Sequence, residues 1–549
     1  MNRRPAAIAL SALLLAGQGA SAADAGATCA DLPGRAGPAL RITRAEDIPA
    51  GQLPAENPAR AALTGSARAR AALPAQCLVE GMIAPRTGLD GKQTGIGFQL
   101  RMPEAWNGRF LFQGGGGMDG VVNEAVGAIP VAGATALPAL NRGYAVVSTD
   151  SGHQGRNSAD SSFAVDQQAR LDHAYAAIGP VADTARTLIA ARYGSPPAHS
   201  YYMGCSNGGR TAMMAAQRFP ATFDGVVAGD PGFRLSHAAI AQAWDVRAFL
   251  RAAPHGPDGQ PVLADALTPD DLRLVSDAVL KACDALDGLA DGSVDAPSAC
   301  RFDPATLRCP AGQTDRCLVP AKLQALEDVF GGVHDSAGRA LYSTWPWDAG
   351  VSAPGWRAWK LGTARTGTPN ALNATITPGS LGMYFTTPPR PGLKLADVDF
   401  DAVAAQTAQT AAINDPTGTL MSSFAGRSGK LLVFHGNSDP VFSADDLTAY
   451  WRTLADDNGG PEALARWARL FTVPGMTHCG GGPALDDFDP LAAIEAWVEA
   501  GKAPDVLPAR GATFPGRERP LCPYPSEPHY DGSGDAQNAG SFRCQPPAR

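Results

Sequence analysis

The sequence lacks any long run of like charge. It carries 45 Lys and Arg against 53 Asp and Glu, a formal net charge of −8 at pH 7 spread over 549 residues. Nucleic-acid-binding domains usually present a basic stripe or patch, so we expect no nucleic-acid partner. With 45% apolar and 18% charged residues, the composition is also too apolar for a disordered chain and is typical of a globular protein.

Beyond its first residues, the sequence lacks an apolar run of about 18 residues, the length that a membrane-spanning helix needs. Residues 1–22 contain two arginines, an apolar run from Ala6 to Ala16 and then the small residues ASA at 20–22. This pattern predicts a secretory signal peptide over residues 1–22. We therefore expect a periplasmic or secreted protein that is not held in a membrane.

No Cys-x-x-Cys pair is present, which argues against a structural zinc site. The ten cysteines form an even set, and in an oxidising compartment such a set favours five disulfides over free thiols. Their positions are Cys29, Cys77, Cys205, Cys283, Cys300, Cys309, Cys317, Cys479, Cys522 and Cys544.

Short apolar runs that end in glycine or small polar residues recur along the chain and are typical of buried strands in a mainly parallel sheet. Helical spacing of apolar residues occurs between them, at 167–193 and 209–219. This alternation predicts an α/β layer architecture. The predicted strands are RFLFQGGGG (109–117), YAVVSTD (144–150), SYYMGCS (200–206), FDGVVAGDP (223–231), KLLVFHGNSD (430–439) and RLFTVPG (469–475).

The alternation stops from about Gly232 to Ser423. This segment is rich in Pro, Gly, Thr and Trp and contains four of the ten cysteines. Because 549 residues exceed the usual size of one hydrophobic core, we interpret the segment as an insertion into a sheet domain. The predicted division is a core over 23–231 and 424–549 with an inserted domain over 232–423.

The stretch GCSNG (204–208) fits the G-x-S-x-G nucleophile elbow of α/β-hydrolases, with an apolar strand before it and a helical pattern after it. Glycines prevent collisions at the sharp turn that carries the nucleophile, and the following helix N-terminus favours developing negative charge. A chain with 62 glycines also produces this pattern by chance, and its context favours the elbow. Ser206 is therefore the predicted nucleophile.

A serine nucleophile needs a histidine base and a carboxylate that orients the base, and in this fold both follow later strands. Asp439 ends the predicted strand 430–439, and His478 closely follows the predicted strand 469–475. Asp439 could instead cap a turn with the proline that follows it, and His478 could be an ordinary loop residue. The order of the residues along the chain favours the catalytic interpretation.

Four other residues are weaker candidates. His435 lies within a predicted strand and is expected in the core or behind the site, and His153 is expected to line the cleft without doing chemistry. Asp445 and Asp446 fall in the helix predicted to follow the acid loop, so they rank below Asp439.

Cysteines flank two of the predicted catalytic residues, since Cys205 precedes Ser206 and Cys479 follows His478. A disulfide between them would tie the nucleophile turn to the histidine loop and hold base and nucleophile within hydrogen-bond reach. The alternative is a pair of free buried cysteines.

The glycine-rich stretch QGGGGMDG (113–120) follows an early strand and predicts a loop whose backbone N–H completes an oxyanion hole with the N–H of Asn207. A phosphate-binding loop would need a lysine and a serine or threonine after the glycines, and these are missing.

The stretches GCSNGGR (204–210), HGNSDPVFS (435–443) and VPGMTHCGGGP (473–483) resemble the tannase and feruloyl esterase family of α/β-hydrolases. The likeness extends over essentially the whole mature chain, and it implies that the insertion is a lid over the acyl pocket. The implied catalytic triad is Ser206, Asp439 and His478, and the implied oxyanion-hole residues are Gly117 and Asn207. The implied disulfides are Cys205–Cys479, Cys29–Cys77, Cys283–Cys300, Cys309–Cys317 and Cys522–Cys544.

Four carboxylates crowd into CDALDGLADGSVDAP (283–297) and would repel one another unless a cation neutralised them. Oxygen ligands at alternating positions suit Ca²⁺, although the EF-hand pattern does not fit. The alternative is a solvated acidic turn. The resemblance implies a structural calcium site formed by the side chains of Asp284, Asp287 and Asp291 and the carbonyls of Leu289 and Ser293.

The resemblance also implies a small aromatic ester as substrate, with Trp359 and Phe442 on either side of its ring, although either residue could be ordinary core. Family members that cleave terephthalate monoesters have a lid arginine where this chain reads ALNATITPGS (371–380), and a glutamate where it has Asn207. An arginine would clamp a free carboxylate through two hydrogen bonds. We therefore expect esters of hydroxycinnamic, gallic or related benzoic acids as substrates.

Terephthalate monoester hydrolysis is the alternative activity, and an inactive binding protein on a hydrolase scaffold is the alternative class. We expect no organic cofactor, and a monomer or weak oligomer.

Overall fold

The computed structural model describes residues 26–35, 37, 39–52, 71–89, 91 and 93–547, so the predicted signal peptide lies outside the described residues. Nine strands of this part of the chain form one sheet, in the order β1-β2-β3-β5-β4-β6-β7-β8-β9. Its strands are β1 Leu40–Ile48, β2 Gln76–Thr87, β3 Gln93–Pro103, β4 Arg109–Gln113, β5 Ala145–Thr149, β6 His199–Cys205, β7 Gly225–Gly229, β8 Lys430–Gly436 and β9 Ala468–Val473.

Neighbouring strands are parallel from β5 across the sheet to β9. The pairs β1–β2, β2–β3 and β3–β5 are antiparallel. The predicted α/β class with a mainly parallel sheet is confirmed, and the six predicted strands are β4 to β9. The sequence pattern missed β1 to β3, because all three mix polar or charged residues with apolar ones instead of forming an apolar run, and β1 is also half-exposed.

Helices cover both faces of the sheet. On one face, a hydrophobic cluster joins the strands to helices Ile178–Tyr193, Asn207–Arg218 and Ala444–Asp457. On the opposite face, the cluster includes helix Pro490–Ala500. The α-helices are α1 Gln167–Leu171, α2 Ile178–Tyr193, α3 Asn207–Arg218, α4 Leu235–Ala252, α5 Pro269–Cys283, α6 Pro320–Phe330, α7 Pro354–Lys360, α8 Leu372–Gly379, α9 Val403–Asn414, α10 Ser422–Gly426, α11 Ala444–Asp457, α12 Pro461–Leu464 and α13 Pro490–Ala500.

The segment between β7 and β8 is helical and has a hydrophobic cluster made almost wholly of its own residues. Its proline content does not signal irregular structure, because Pro269, Pro320 and Pro354 each stand at the first turn of a helix, where a proline is tolerated. The boundaries 232 and 423 of an inserted domain stay a prediction.

The ten cysteines pair into five disulfides, in the combination that the family resemblance implies. Two of these bridges lie within the segment between β7 and β8, and one joins the end of β6 to the loop after β9. None of the described helices has the length and apolar character to span a bilayer.

Candidate active site

Ser206 stands at the junction between β6 and the helix Asn207–Arg218, in a strained backbone conformation with φ 62° and ψ −125°. A Cβ atom on Gly204 would lie 2.7 Å from the carbonyl carbon of Gly208, and one on Gly208 would lie 2.5 Å from the Gly115 oxygen. Only glycine fits at such distances. The turn is fixed from the other side because the Ser206 N–H donates to the Gly229 carbonyl at 3.0 Å.

The predicted serine, histidine and aspartate meet at the carboxyl ends of β6, β8 and β9. The Ser206 hydroxyl lies 2.8 Å from Nε2 of His478, and Nδ1 of His478 lies 2.8 Å from Oδ2 of Asp439. Since Nδ1–H donates to the carboxylate, Nε2 is left as an acceptor for the serine proton. The other carboxylate oxygen of Asp439 accepts the N–H groups of Val441 and Phe442 at 2.7 and 3.2 Å, which fixes its orientation.

Burial and charge act in opposite directions on this chain of hydrogen bonds. Burial alone would lower the pKa of His478, but the charge and hydrogen bond of Asp439, together with the charge of Asp230, outweigh it and raise the pKa. Burial would raise the pKa of Asp439, and the charge and hydrogen bond of His478 reverse this and lower it. The arrangement therefore favours an ionised aspartate that stabilises the imidazolium formed when His478 accepts a proton.

The disulfide Cys205–Cys479 joins the residue before Ser206 to the residue after His478. Its Cα atoms are 6.1 Å apart, and it closes a sequence separation of 274 residues. Cys479 has φ 56°, a left-handed conformation that few residues other than glycine adopt. The bridge thus fixes the position of the histidine turn relative to the nucleophile turn.

The glycine-rich loop after β4 packs against the nucleophile helix. Gly117 has φ 58°, and a Cβ atom there would lie 2.3 Å from the Ser158 oxygen, so this backbone approaches its neighbour more closely than any side chain would allow. Asn207 is the first residue of the helix after Ser206, where the N–H groups have no partner within the helix. The two predicted oxyanion-hole residues therefore lie on elements that touch each other.

The Asn207 side chain is held by two neighbours. Its Nδ2 donates to Oδ1 of Asp119 at 2.5 Å, and its Oδ1 accepts from Nε of Arg210 at 2.7 Å. Burial raises the pKa of Asp119 to about 6, even though hydrogen bonds from Ser151 and Asn207 lower it. Asp119 and Arg210 were not predicted as site residues, and only the charged residue types near the glycine loop and the elbow could have indicated them.

The two predicted aromatic substrate residues both flank His478. Trp359 and Phe442 present their rings nearly perpendicular to the imidazole, with ring centroids at 5.5 and 5.3 Å. Trp359 comes from the helical segment between β7 and β8, and Phe442 comes from the loop that carries Asp439. His435 lies in β8 as expected, fully buried behind the site, and His153 is buried and stacks on Phe163.

The acidic loop after the helix Pro269–Cys283 is partly engaged with other groups. Asp284 accepts the backbone N–H groups of Asp291 and Gly292, and Arg519 pairs with Asp291. Among the described residues, one carboxylate oxygen on each of three loop aspartates is buried without a partner, namely on Asp287, Asp291 and Asp295. Among the described residues, three groups of His, Cys, Asp or Glu have ligand atoms within 4.8 Å of one another, and none of the three includes this loop.

A mainly parallel sheet with a serine on a strained strand-to-helix turn, followed by an acid and a histidine after later strands, defines an α/β-hydrolase. The model of the family described as "Tannase and feruloyl esterase" matches residues 77–545. The chain therefore belongs to the tannase and feruloyl esterase family, and it is a carboxylic ester hydrolase.

Individual relatives agree with this assignment. Mono(2-hydroxyethyl) terephthalate hydrolase of Piscinibacter sakaiensis is 41% identical over 524 residues, which covers 87% of this chain and 86% of that protein. A probable feruloyl esterase of Arthroderma benhamiae is 28% identical over 472 residues, or 81% of each chain. The crystal structure of feruloyl esterase B from Aspergillus oryzae matches with a TM-score of 0.77 at 25% identity and covers 94% of this chain and 99% of that chain.

Proposed function

We propose that the protein is a secreted serine carboxylesterase that hydrolyses esters of aromatic acids through an acyl-enzyme. The observation that carries the proposal is the hydrogen-bonded chain from Ser206 through His478 to Asp439. Its five disulfides support an oxidising compartment outside the cytoplasm.

In the proposed mechanism, Nε2 of His478 takes the proton of Ser206 while Oγ attacks the ester carbonyl carbon. The N–H groups of Gly117 and Asn207 stabilise the resulting oxyanion. His478 then gives its proton to the alkoxide, which leaves as the alcohol. A water molecule attacks the acyl-enzyme with His478 again as base, and the carboxylic acid and free Ser206 are released.

An aromatic acyl group fits the rings of Trp359 and Phe442 beside the imidazole, and relatives named for feruloyl and terephthalate esters support that class. A free carboxylate on the acyl group is a poorer fit. The stretch 371–380 offers no cation, and the fully buried amide of Asn373 is neutral. Two fully buried cations of the described residues already have partners, since Lys360 pairs with Asp245 and Arg210 donates to backbone carbonyls.

A pair of esters that differ in one charge tests this preference. We expect kcat/KM for dimethyl terephthalate to exceed that for monomethyl terephthalate by about 10-fold or more, because burying an unpaired carboxylate is unfavourable. Methyl ferulate and methyl gallate should be cleaved at least as well as the diester. Initial rates with the purified protein measure all four, and a higher kcat/KM for the monoester would favour terephthalate monoester hydrolysis instead.

We also propose that the acidic loop binds Ca²⁺ for stability. The unpartnered oxygens of Asp287, Asp291 and Asp295 are the oxygen donors that Ca²⁺ prefers. Burial raises the pKa of Asp287 to about 6 and that of Asp295 to about 7, and the negative charge of Asp291 acts in the same direction on both. The carbonyls of Leu289 and Ser293 and the side chain of Asp284 complete the proposed ligand set.

Chelation should therefore lower the melting temperature of the wild-type protein. Ca²⁺ at 100 times its Kd stabilises a folded protein by about 2.7 kcal/mol, and EGTA removes this contribution. The response should be smaller in Asp287→Asn and unchanged in Asp505→Asn, whose carboxylate is 90% exposed. Thermal unfolding in EGTA and in excess Ca²⁺ measures the effect, and identical melting temperatures in the two buffers would exclude a structural calcium site.

A further inference from the structure

Asp230 is a buried carboxylate that the mechanism does not use. It follows β7 directly, and β7 lies between β6, which leads to Ser206, and β8, which leads to Asp439. Asp230 is fully buried and has φ 34°, outside the region that residues other than glycine usually adopt. A strained backbone persists only where the surrounding structure determines it, so the contacts of this residue indicate its role.

The two carboxylate oxygens of Asp230 bind two different parts of the site. Oδ1 accepts the N–H of Gly436, the last residue of β8, at 2.7 Å. Oδ2 accepts the N–H of Cys479, the residue after His478, at 2.9 Å. Its own N–H donates to the carbonyl of Phe434 in β8 at 2.9 Å. One side chain thus joins the strand before Asp439 to the turn that carries His478.

Further contacts extend this connection. Oδ2 of Asp230 lies 3.5 Å from the Cys205 sulfur of the disulfide that precedes Ser206. Nδ1 of His435 lies 3.6 Å from Oδ1 of Asp230, and Nε2 of His435 donates to the carbonyl of Phe442 at 3.0 Å. The charge of Asp230 also contributes to the raised pKa of His478. Asp230 therefore contacts elements that carry all three residues of the hydrogen-bonded chain.

We propose that Asp230 is a positioning residue, which holds the histidine turn and the acid strand in register so that His478 stays aligned between Asp439 and Ser206. This role rests on the proposed function of that site. It requires a carboxylate, because two backbone N–H groups point at two separate oxygens. An asparagine has one acceptor oxygen, and its amide nitrogen would face the second N–H.

The experiment compares wild type with Asp230→Asn and the control Asp224→Asn. Asp224 lies at the opposite end of β7, and its side chain accepts a single backbone N–H, that of Ser200, at 2.8 Å. Fluorophosphonate titration gives the concentration of reactive serine in each preparation, so rates on methyl ferulate are expressed per active site. We expect kcat of Asp230→Asn to fall about 10- to 100-fold with KM within about three-fold, and kcat of Asp224→Asn to stay at the wild-type value.

A pH profile separates positioning from simple loss of fold. The ionisable groups that face Asp230 are His435 of β8, Asp439 of the acid loop and His478 of the histidine turn. Burial raises the pKa of Asp230 to about 6, so Asp230 is mostly ionised at the higher pH where His478, with its raised pKa, loses its proton. Loss of the Asp230 charge lowers the pKa of His478, so the rising acid limb of kcat/KM should move to lower pH in Asp230→Asn. An unchanged kcat per active site and an unchanged acid limb would overturn the proposal.

Two further outcomes are distinguishable. If wild type itself does not react with the fluorophosphonate, the proposed serine mechanism is refuted, and the proposed role of Asp230 is refuted with it. If Asp230→Asn does not fold, amide hydrogen exchange in the wild type tests the same contact. The Cys479 amide should then exchange as slowly as the amides of β8, and exchange at the rate of an unprotected loop would overturn the proposal.

Discussion

Ser206→Ala is expected to lower kcat for methyl ferulate by about 10⁶-fold while the protein stays folded. The hydroxyl is the atom that would form the acyl-enzyme, and it lies 2.8 Å from the nitrogen that would take its proton. Among the described residues, no other hydroxyl is placed in this way. Activity that remains would come from the oxyanion hole and from substrate binding alone.

Folding and reactivity must be measured separately for this variant. Ser541→Ala is a matched control, because Ser541 is also buried and loses a single hydrogen bond, to the carbonyl of Asp535 at 2.9 Å. We expect full activity in Ser541→Ala and similar melting temperatures for both variants. Fluorophosphonate should label the control at one site and leave Ser206→Ala unlabelled. Comparable turnover by Ser206→Ala would refute the serine mechanism.

The proximity of the three residues could be predicted because the carboxyl ends of parallel strands lie at one edge of a sheet. The residues that follow β6, β8 and β9 must come together at one edge of the sheet, and each of these strands is a short apolar run that ends in a recognisable residue. Ser206, Asp439 and His478 could therefore be proposed from their strand ends. The cysteines beside Ser206 and His478 added a second, independent indication of the same proximity.

The supporting residues could not be predicted in this way. Asp230 comes after a strand, as Asp439 does, and nothing in AGDPG (228–232) indicates that its carboxylate accepts N–H groups from the end of β8 and from the histidine turn. The partners of Asn207 are equally hidden, because Asp119 and Arg210 reach it through side-chain geometry. Such contacts depend on how loops pack, which local patterns do not encode.

The helices of the segment between β7 and β8 were not predicted from the sequence, for a related reason. Its helices pack against one another, and many of their buried residues are alanines, as in Leu235–Ala252, so the periodic contrast between apolar and polar positions is weak. The acidic loop shows the same limit. Its aspartates stand together in the sequence, but the pairing of Asp291 with Arg519, which lies far along the chain, could not be predicted. Long-range pairing of this kind appears only in the folded structure.

Removing the bridge Cys205–Cys479 is expected to affect stability and turnover together. In the chain-entropy description, a bridge that closes 274 residues contributes about 5.6 kcal/mol to the free energy of unfolding, whereas one that closes 8 residues contributes about 2.5 kcal/mol. The short bridge Cys309–Cys317 is therefore a suitable control. Catalysis should respond as well, because the long bridge fixes the distance between the turns that carry Ser206 and His478.

The double variant Cys205→Ala with Cys479→Ala should show kcat about 10- to 100-fold below wild type, with a much smaller change in KM. The control pair, Cys309→Ala with Cys317→Ala, should keep the wild-type kcat and lose less stability. Denaturant unfolding gives the free energies, and steady-state kinetics per fluorophosphonate-reactive site gives the rates. An unchanged kcat in a folded Cys205–Cys479 variant would mean that Asp230 and the packing of the loops align Ser206 and His478 without the bridge.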